Sequence, residues 1–227
     1  MSNPNVKNGR AKPGSICFNV RFHGLKKVLP YSKKVLEVGC GNGMITEELI
    51  KRKNKVTALD YSKKVIDCLK KKKLKAKFIC QDFLDFSDSK KYDCIICTAV
   101  LEHIKDDILA LKKMQRLLKN GGQLILSVPI CQYKDYYRKT MGHLRHYELV
   151  SLKKTLERMG FKVKKEKIWG SFIRYFVIYL LPKKGKKLAR EVHPLIEKIL
   201  TLIALVDVFV CPLRHEVRLV LIKKGKK

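Results

Sequence analysis

Acidic residues are scarce in this 227-residue chain: 20 Asp and Glu stand against 51 Lys and Arg, a formal net charge of +31. The imbalance leaves the fold open, but it draws polyanions: nucleic acid, anionic lipid surfaces or phosphorylated ligands. A lysine-heavy solvated surface is the plain alternative. Aromatics are few, at 8%. They do not interleave with basic runs such as Lys70-Lys71-Lys72-Lys73, as a stacking platform for single strands would. Nucleic acid is therefore the less expected macromolecular partner. No run reaches the roughly 18–20 clean apolar residues that a spanning helix needs. Met1 to Gly14 is polar and lacks the apolar core of a leader. The 8 Cys form no secreted disulfide framework, so a reducing cytoplasm is expected. Cys94 and Cys97 make a C-x-x-C with no second pair to complete a zinc site. They lie inside the apolar run Tyr92 to Val100, which predicts buried strand residues instead.

What is present is a regular alternation. Hydrophobic content of 46% supports a full core. A polar tail and a helix over Ile16–Leu29, stopped by Pro30, make up residues 1–30. From residue 31 onward strands and helices take turns. Strands are expected at Lys34–Val38, Lys55–Leu59, Lys77–Cys80, Tyr92–Thr98 and Gln123–Val128. Helices are expected at Met44–Lys53, from Ser62 as cap through Lys73, and at Asp106–Lys119, closed by Asn120-Gly121-Gly122. A helix over Glu148–Met159 and strands at Phe161–Ile168 and Glu216–Ile222 follow. Such alternation predicts a parallel sheet with right-handed crossovers. Ligands then bind at the carboxyl ends of the strands.

The residues just after each strand are the informative ones. Gly39, Gly41 and Gly43 follow the first strand and open a helix, so the backbone can turn tightly and approach a ligand. The spacing is G-x-G-x-G and not the G-x-G-x-x-G of the diphosphate fingerprint. Glu37 stands just ahead of it, where a carboxylate repels a diphosphate and suits a cationic ligand. Asp60 ends the second strand, at the distance where an acid grips ribose hydroxyls. Asp82 ends the third; it can accept from an adenine amino group or simply cap a turn.

The run Val35-Leu36-Glu37-Val38-Gly39-Cys40-Gly41-Asn42-Gly43 resembles the first motif of class I S-adenosylmethionine-dependent methyltransferases. Leu59-Asp60-Tyr61-Ser62, Gln81-Asp82-Phe83, Tyr92-Asp93 running to Thr98, Leu101-Glu102-His103-Ile104 and Leu117-Leu118-Lys119-Asn120-Gly121-Gly122 follow in family order, from about Tyr31 to Phe161. The resemblance implies a Rossmann-like α/β fold: seven strands, mainly parallel, with an antiparallel last strand. It implies S-adenosyl-L-methionine as cofactor, with Gly39 and Gly41 on its methionine part, Asp60 on the ribose, and Asp82 and Phe83 flanking the adenine. Glu37, Cys40, Gly43, Tyr61, Gln81 and Thr98 complete the implied cofactor contacts.

Leu-Glu-His-Ile resembles the ubiquinone-pathway O-methyltransferase subgroup. It implies that His103 stands beside the transferable methyl, either as general base, with an ordinary pKa near 6.5, or as part of the pocket floor. The quinone enzymes carry a further acid, tied to metal binding, three residues before this glutamate. Here that position is Ala99, so no metal is expected. Gly142-His143-Leu144-Arg145-His146-Tyr147 follows a loop with Tyr133, Tyr136 and Tyr137. Similar methyltransferases close the substrate pocket with such a Gly-His-x-Arg segment, which makes His143 and Arg145 candidates; helix-entry packing is the alternative.

The join from Trp169 to Pro212 holds two apolar runs and the basic Lys183-Lys184-Gly185-Lys186-Lys187. It reads as a helical insertion: a lid, a dimer surface, or a segment on an anionic membrane. The expected acceptor is a small or lipid-like molecule. RNA is the alternative, and a non-catalytic binding protein the second. The absence of an Asn-Pro-Pro-Tyr type of motif disfavours DNA amino-group methylation.

Overall fold

A computed structural model describes residues 22–130, 142–169 and 216–225. Residues 22–26 are helical. Seven strands and four longer helices follow: β1 (Lys34–Val38), α1 (Met44–Lys51), β2 (Lys55–Asp60), α2 (Lys63–Lys71), β3 (Ala76–Cys80), β4 (Tyr92–Thr98), α3 (Asp107–Leu117), β5 (Leu118–Pro129), α4 (Leu149–Arg158), β6 (Phe161–Trp169) and β7 (Glu216–Lys223). The strands form one sheet in the order β3-β2-β1-β4-β5-β7-β6. β1 to β5 pair in parallel. β7 runs antiparallel to both β5 and β6. The expected fold class is met, and the strand order reverses between β1 and β4.

Residue alternation along the buried strands feeds two cores, because successive side chains point to opposite faces. Leu36 and Val38 of β1 join Ala110, Leu111 and Met114 of α3 and Leu152 and Leu156 of α4. Val35, on the other face, joins Leu49 of α1, Ile66 and Leu69 of α2, and Leu25 and Leu29. Each such fully buried aliphatic side chain contributes about 1.5–3 kcal/mol by leaving water. The same parity separates Cys94 and Cys97, which enter opposite cores. Burial pushes both thiols well above the usual range. Two thiols on opposite faces of one strand cannot share a metal or a disulfide.

Several boundaries differ from the sequence expectation. Helix α2 does start at Ser62, whose hydroxyl accepts from the Val65 N–H. Asp106 caps α3 in the same way through Leu109 N–H at 2.8 Å. Helix α3, however, stops at Leu117, because Leu118 already pairs with Tyr92 of β4. Asn120-Gly121-Gly122 therefore makes the irregular start of β5, at a register shift, and not the helix stop. The expected helix over Ile16–Leu29 is described only from residue 22. Tyr133, Tyr136 and Tyr137, and the insertion beyond Trp169 up to Pro212, lie outside the described residues. Among the described residues no helix is long and apolar enough to cross a membrane.

Candidate functional site

The site collects at the carboxyl ends of β1, β2 and β4, beside the reversal point where open α/β sheets take ligands. β1 runs directly into the glycine turn. Gly39 has φ +75° and Gly41 φ +52°, the left-handed region that side chains rarely adopt. A Cβ on Gly39 would stand 2.3 Å from Val100 Cγ2, whereas one on Gly41 would meet nothing within 4 Å. The first glycine is thus demanded by packing. The second keeps an open space over the turn.

The turn is fastened to β2. Gly39 and Cys40 donate their N–H groups to the Leu59 carbonyl at 2.8 and 3.0 Å. Gly41 donates to Asp60 Oδ2 at 3.0 Å, and Ser62 donates to Asp60 Oδ1 at 3.0 Å. Asp60 is buried, so one carboxylate orders both the glycine turn and the entry to α2. Gln81 donates its N–H to the Asp60 carbonyl, which brings the end of β3 alongside.

Glu37 is the unusual group. It is 1% exposed, on the β1 face that packs against α1. Its Oε2 accepts from Thr46 Oγ1 of α1 at 2.5 Å. Its Oε1 is buried without a hydrogen-bond partner among the described residues. Burial pushes its carboxyl up to about 8, against the lowering effect of the Thr46 hydrogen bond. A buried, half-satisfied carboxyl beside a glycine cradle fits a ligand that brings a cationic N–H donor. The implied methionine ammonium is such a donor.

The other implied cofactor residues are distributed unevenly. Tyr61 is 69% exposed, just beyond Asp60. Asp82 is exposed and holds its own turn: its Oδ1 accepts from Leu84 N–H and its carbonyl from Asp85 and Phe86 N–H. That Asx-type turn directs Phe83 and Phe86 inward, and Phe83 joins the larger core instead of standing open. Cys40 puts its side chain in the smaller core and lends only its backbone to the turn. Gly43 precedes α1 as its cap residue, and Thr98 ends β4 half-buried.

After β4, a 3-10 turn at Leu101–His103 carries the second cluster. Glu102 is buried and His103 exposed. The segment from Gly142 comes back over this turn. Leu144 N–H donates to the Glu102 carbonyl at 2.8 Å, and His103 Nδ1 donates to the Gly142 carbonyl at 3.1 Å. His143 Nε2 lies 4.0 Å from Glu102 Oε1. Its Nδ1 is 2.9 Å from His146 Nε2, and its ring stands edge-on to that of His103, centroids 4.9 Å apart. One donor atom each from Glu102, His103 and His143 lies within 4.8 Å of the others. Arg145 is bound to the chain just after that turn. It donates to the carbonyls of Ile104 and Lys105 at 3.0 and 2.8 Å and pairs with Asp107 Oδ1 at 2.8 Å. Tyr147 donates to the other oxygen of Asp107 at 3.0 Å. Arg145 therefore rivets the Gly142–Tyr147 segment to the turn bearing His103.

Sequence reasoning missed Thr46 and Val100, whose roles arise only when α1 and the β4 end meet the glycine turn. It also missed Glu216, buried at the start of β7, where it accepts from Ser127 Oγ at 2.6 Å. Acid and hydroxyl lie 89 positions apart, beyond the reach of any local pattern.

Comparison with known proteins fits this geometry. Residues 15–166 match the family described as a methyltransferase domain. The ubiquinone biosynthesis O-methyltransferase of Coxiella burnetii is 32% identical over 140 residues, covering 59% of this chain and 60% of that protein. The enzyme of the same name from Alkalilimnicola ehrlichii is 30% identical over 116 residues, 48% of this chain and 47% of its own. The chain thus spans about 60% or less of the curated relatives it matches. Among solved structures, the [4+2]-cyclase SpnF superposes with a TM-score of 0.63 at 19% identity, over 91% of this chain and 81% of that one. The N-methyltransferase NodS of Bradyrhizobium japonicum, in complex with S-adenosyl-L-homocysteine, gives 0.60 at 16% identity, over 99% and 94%. At such identities the likeness speaks to the fold, and one fold serves several chemistries.

Proposed function

Because the chain belongs to the methyltransferase domain family, we propose that it moves a methyl group from S-adenosylmethionine to an oxygen of a small-molecule or lipid-like acceptor. The observation that carries this reading is Glu37. Its buried Oε1 lacks a partner beside a glycine turn that leaves open space at Gly41. An ammonium group seated there satisfies that oxygen and compensates the desolvation of the carboxyl. The Gly41 backbone and Asp60 hold the adjoining part of the ligand, and Tyr61 offers its ring to the base. The cofactor supplies an electrophilic sulfonium methyl.

The chain's own part is placement. With the cofactor bound, the Glu102–His103–His143 cluster would face an acceptor hydroxyl and receive its proton as the oxygen takes the methyl and S-adenosylhomocysteine leaves. His103 is the exposed member, its Nδ1–H held by the Gly142 carbonyl, and is the group that would take the proton. Ordering of the two reactants supplies up to about 7–11 kcal/mol of a barrier. The curated relatives' names support oxygen as the acceptor atom.

Calorimetry with S-adenosylmethionine, followed by labelled methyl transfer into phenolic small molecules, lipid extracts and RNA, tests the reading. Cofactor binding with label in a small or lipid-like product supports it. Absence of cofactor binding sinks the enzyme reading. Label in RNA alone moves the acceptor to nucleic acid.

A further inference from the structure

Every strand of the sheet has a lysine at or beside the end that points away from the cofactor site. We infer that this end is a docking surface for double-helical nucleic acid, held by its phosphates. The partner is a tether and not the methyl acceptor, and the inference is independent of which acceptor the enzyme uses.

Topology makes the row. β1 to β6 run in one direction and begin at this end, whereas antiparallel β7 finishes there. Lys34 and Lys55 are register partners at the starts of β1 and β2. Lys75 and Lys91 directly precede β3 and β4, and Lys119 and Lys162 are the second residues of β5 and β6. Lys223 closes β7. Neighbouring strands lie about 4.8 Å apart, so the sheet spreads this row over about 29 Å. Between Lys91 and Lys223 the row deepens into a cleft of about 410 Å³, lined also by Arg116 and Lys224 and by no acid among the described residues. Lys91 Nζ rests on the Arg116 carbonyl at 2.7 Å, a contact that fixes the ammonium and adds no negative charge.

The buried acids sort the other way: Glu37, Asp60, Glu102 and Glu216 lie at the cofactor end. At the lysine end Asp93 pairs with Lys119 at 2.7 Å, and Glu48 pairs with Arg52 and Lys26 at 2.9 and 3.2 Å. Asp88 accepts from the Tyr92 hydroxyl at 2.6 Å. Lys55, Lys75, Lys91, Lys162 and Lys224 are exposed and form no ion pair among the described residues. Their charge faces solvent.

The exposed apolar side chains select among polyanions. Tyr61, Ile108, Leu109, Leu144 and Val150 all stand at the cofactor end. At the lysine end the exposed large apolar side chain is Tyr31, and the Arg52 guanidinium covers its ring at 4.6 Å. A bilayer surface rewards apolar side chains that insert, and a single strand rewards rings that stack. A double helix asks for neither, because its bases are paired inside and it presents one negative charge per about 1.7 Å of axis. Lysine, a compact point charge, meets phosphates without reading bases. A row of about 29 Å covers roughly eight or nine base pairs. The five residues of β1 put roughly 17 Å between this row and the glycine turn, so a base held there does not reach the methyl.

The test titrates the full chain with a labelled RNA duplex, a DNA duplex and a single strand of the same length, and phosphatidylglycerol vesicles, over a salt series. Both duplexes should bind, more tightly than the single strand. Kd should rise about 100–1,000-fold between about 50 and 200 mM salt, as about four to six phosphate contacts require. Lys91→Ala and Lys224→Ala should each flatten the log–log salt slope by about one. Lys64→Ala, exposed at the opposite end, should leave the slope alone. S-adenosylhomocysteine affinity should be unmoved in all three variants, and no methyl label should enter either duplex. A slope unchanged in both Lys91→Ala and Lys224→Ala, an equal loss in Lys64→Ala, binding of vesicles but not of duplex, tighter binding of the single strand, or methyl label in the duplex would each overturn the inference.

Discussion

Thr46 Oγ1 donates to Glu37 Oε2 at 2.5 Å, joining the first helix to the first strand beneath the glycine turn. The other Glu37 oxygen is left for a ligand. Its carboxyl lies near 8 in the folded chain, against an ordinary 4.5. Between those values the folded state holds a proton that the unfolded state has lost. Stability of the ligand-free chain therefore falls as pH rises through that window, by up to about 1.4 kcal/mol per pH unit from this group. Glu37→Gln should flatten that slope in denaturant melts run from pH 5 to 8. A slope unchanged in the variant would assign the effect elsewhere.

Cofactor binding should run against the same proton. An ammonium at Oε1 favours the carboxylate, so binding at pH 7 should release up to one proton per chain. Affinity should rise with pH toward about 8. Calorimetry in buffers of different ionisation enthalpy reads the release directly, and Glu37→Gln should abolish it.

Gly39 and Gly41 should separate stability from binding. Gly39→Ala combines a left-handed φ with a Cβ only 2.3 Å from Val100 Cγ2. It should cost roughly 2–4 kcal/mol in thermal or denaturant melts. Adding Val100→Ala should recover part of that loss. Gly41→Ala clashes with nothing and should cost only about 1–2 kcal/mol. Its affinity for S-adenosylhomocysteine should nevertheless fall tenfold or more, equivalent to about 1.4 kcal/mol.

Arg145 is a positioning residue. Arg145→Ala removes two carbonyl contacts and the Asp107 ion pair. Stability should drop by about 1–3 kcal/mol, and kcat should fall with cofactor affinity preserved. Arg145→Lys should not rescue kcat, because an ammonium cannot span the fork that a guanidinium fills.

His103→Ala should lower turnover about 100-fold or more and leave S-adenosylmethionine affinity nearly intact, since its side chain is engaged with the Gly142–His143 segment. Wild-type-like turnover would remove His103 from the chemistry.

The order of strands and helices was legible in the sequence because buried parallel strands are written as short apolar runs closed by glycine or acid. The glycine turn, Asp60 and Glu37 were legible for the same reason: turn geometry and strand ends are local. Boundaries slipped where long-range pairing won, as at Leu118, which β4 draws into the sheet before α3 can use its glycines.

The sequence alone determined the class of fold and the half of the site lying within one βαβ unit. The tertiary structure decided the rest. It buried Phe83, tied one Asp82 oxygen into its own turn and left Tyr61 exposed. It set Thr46 against Glu37, and it folded His143 and Arg145 over Glu102 and His103 across some 40 positions. Those pairings depend on packing between distant segments, and desolvation there gives each carboxylate its character. Neither leaves a periodic trace along the chain.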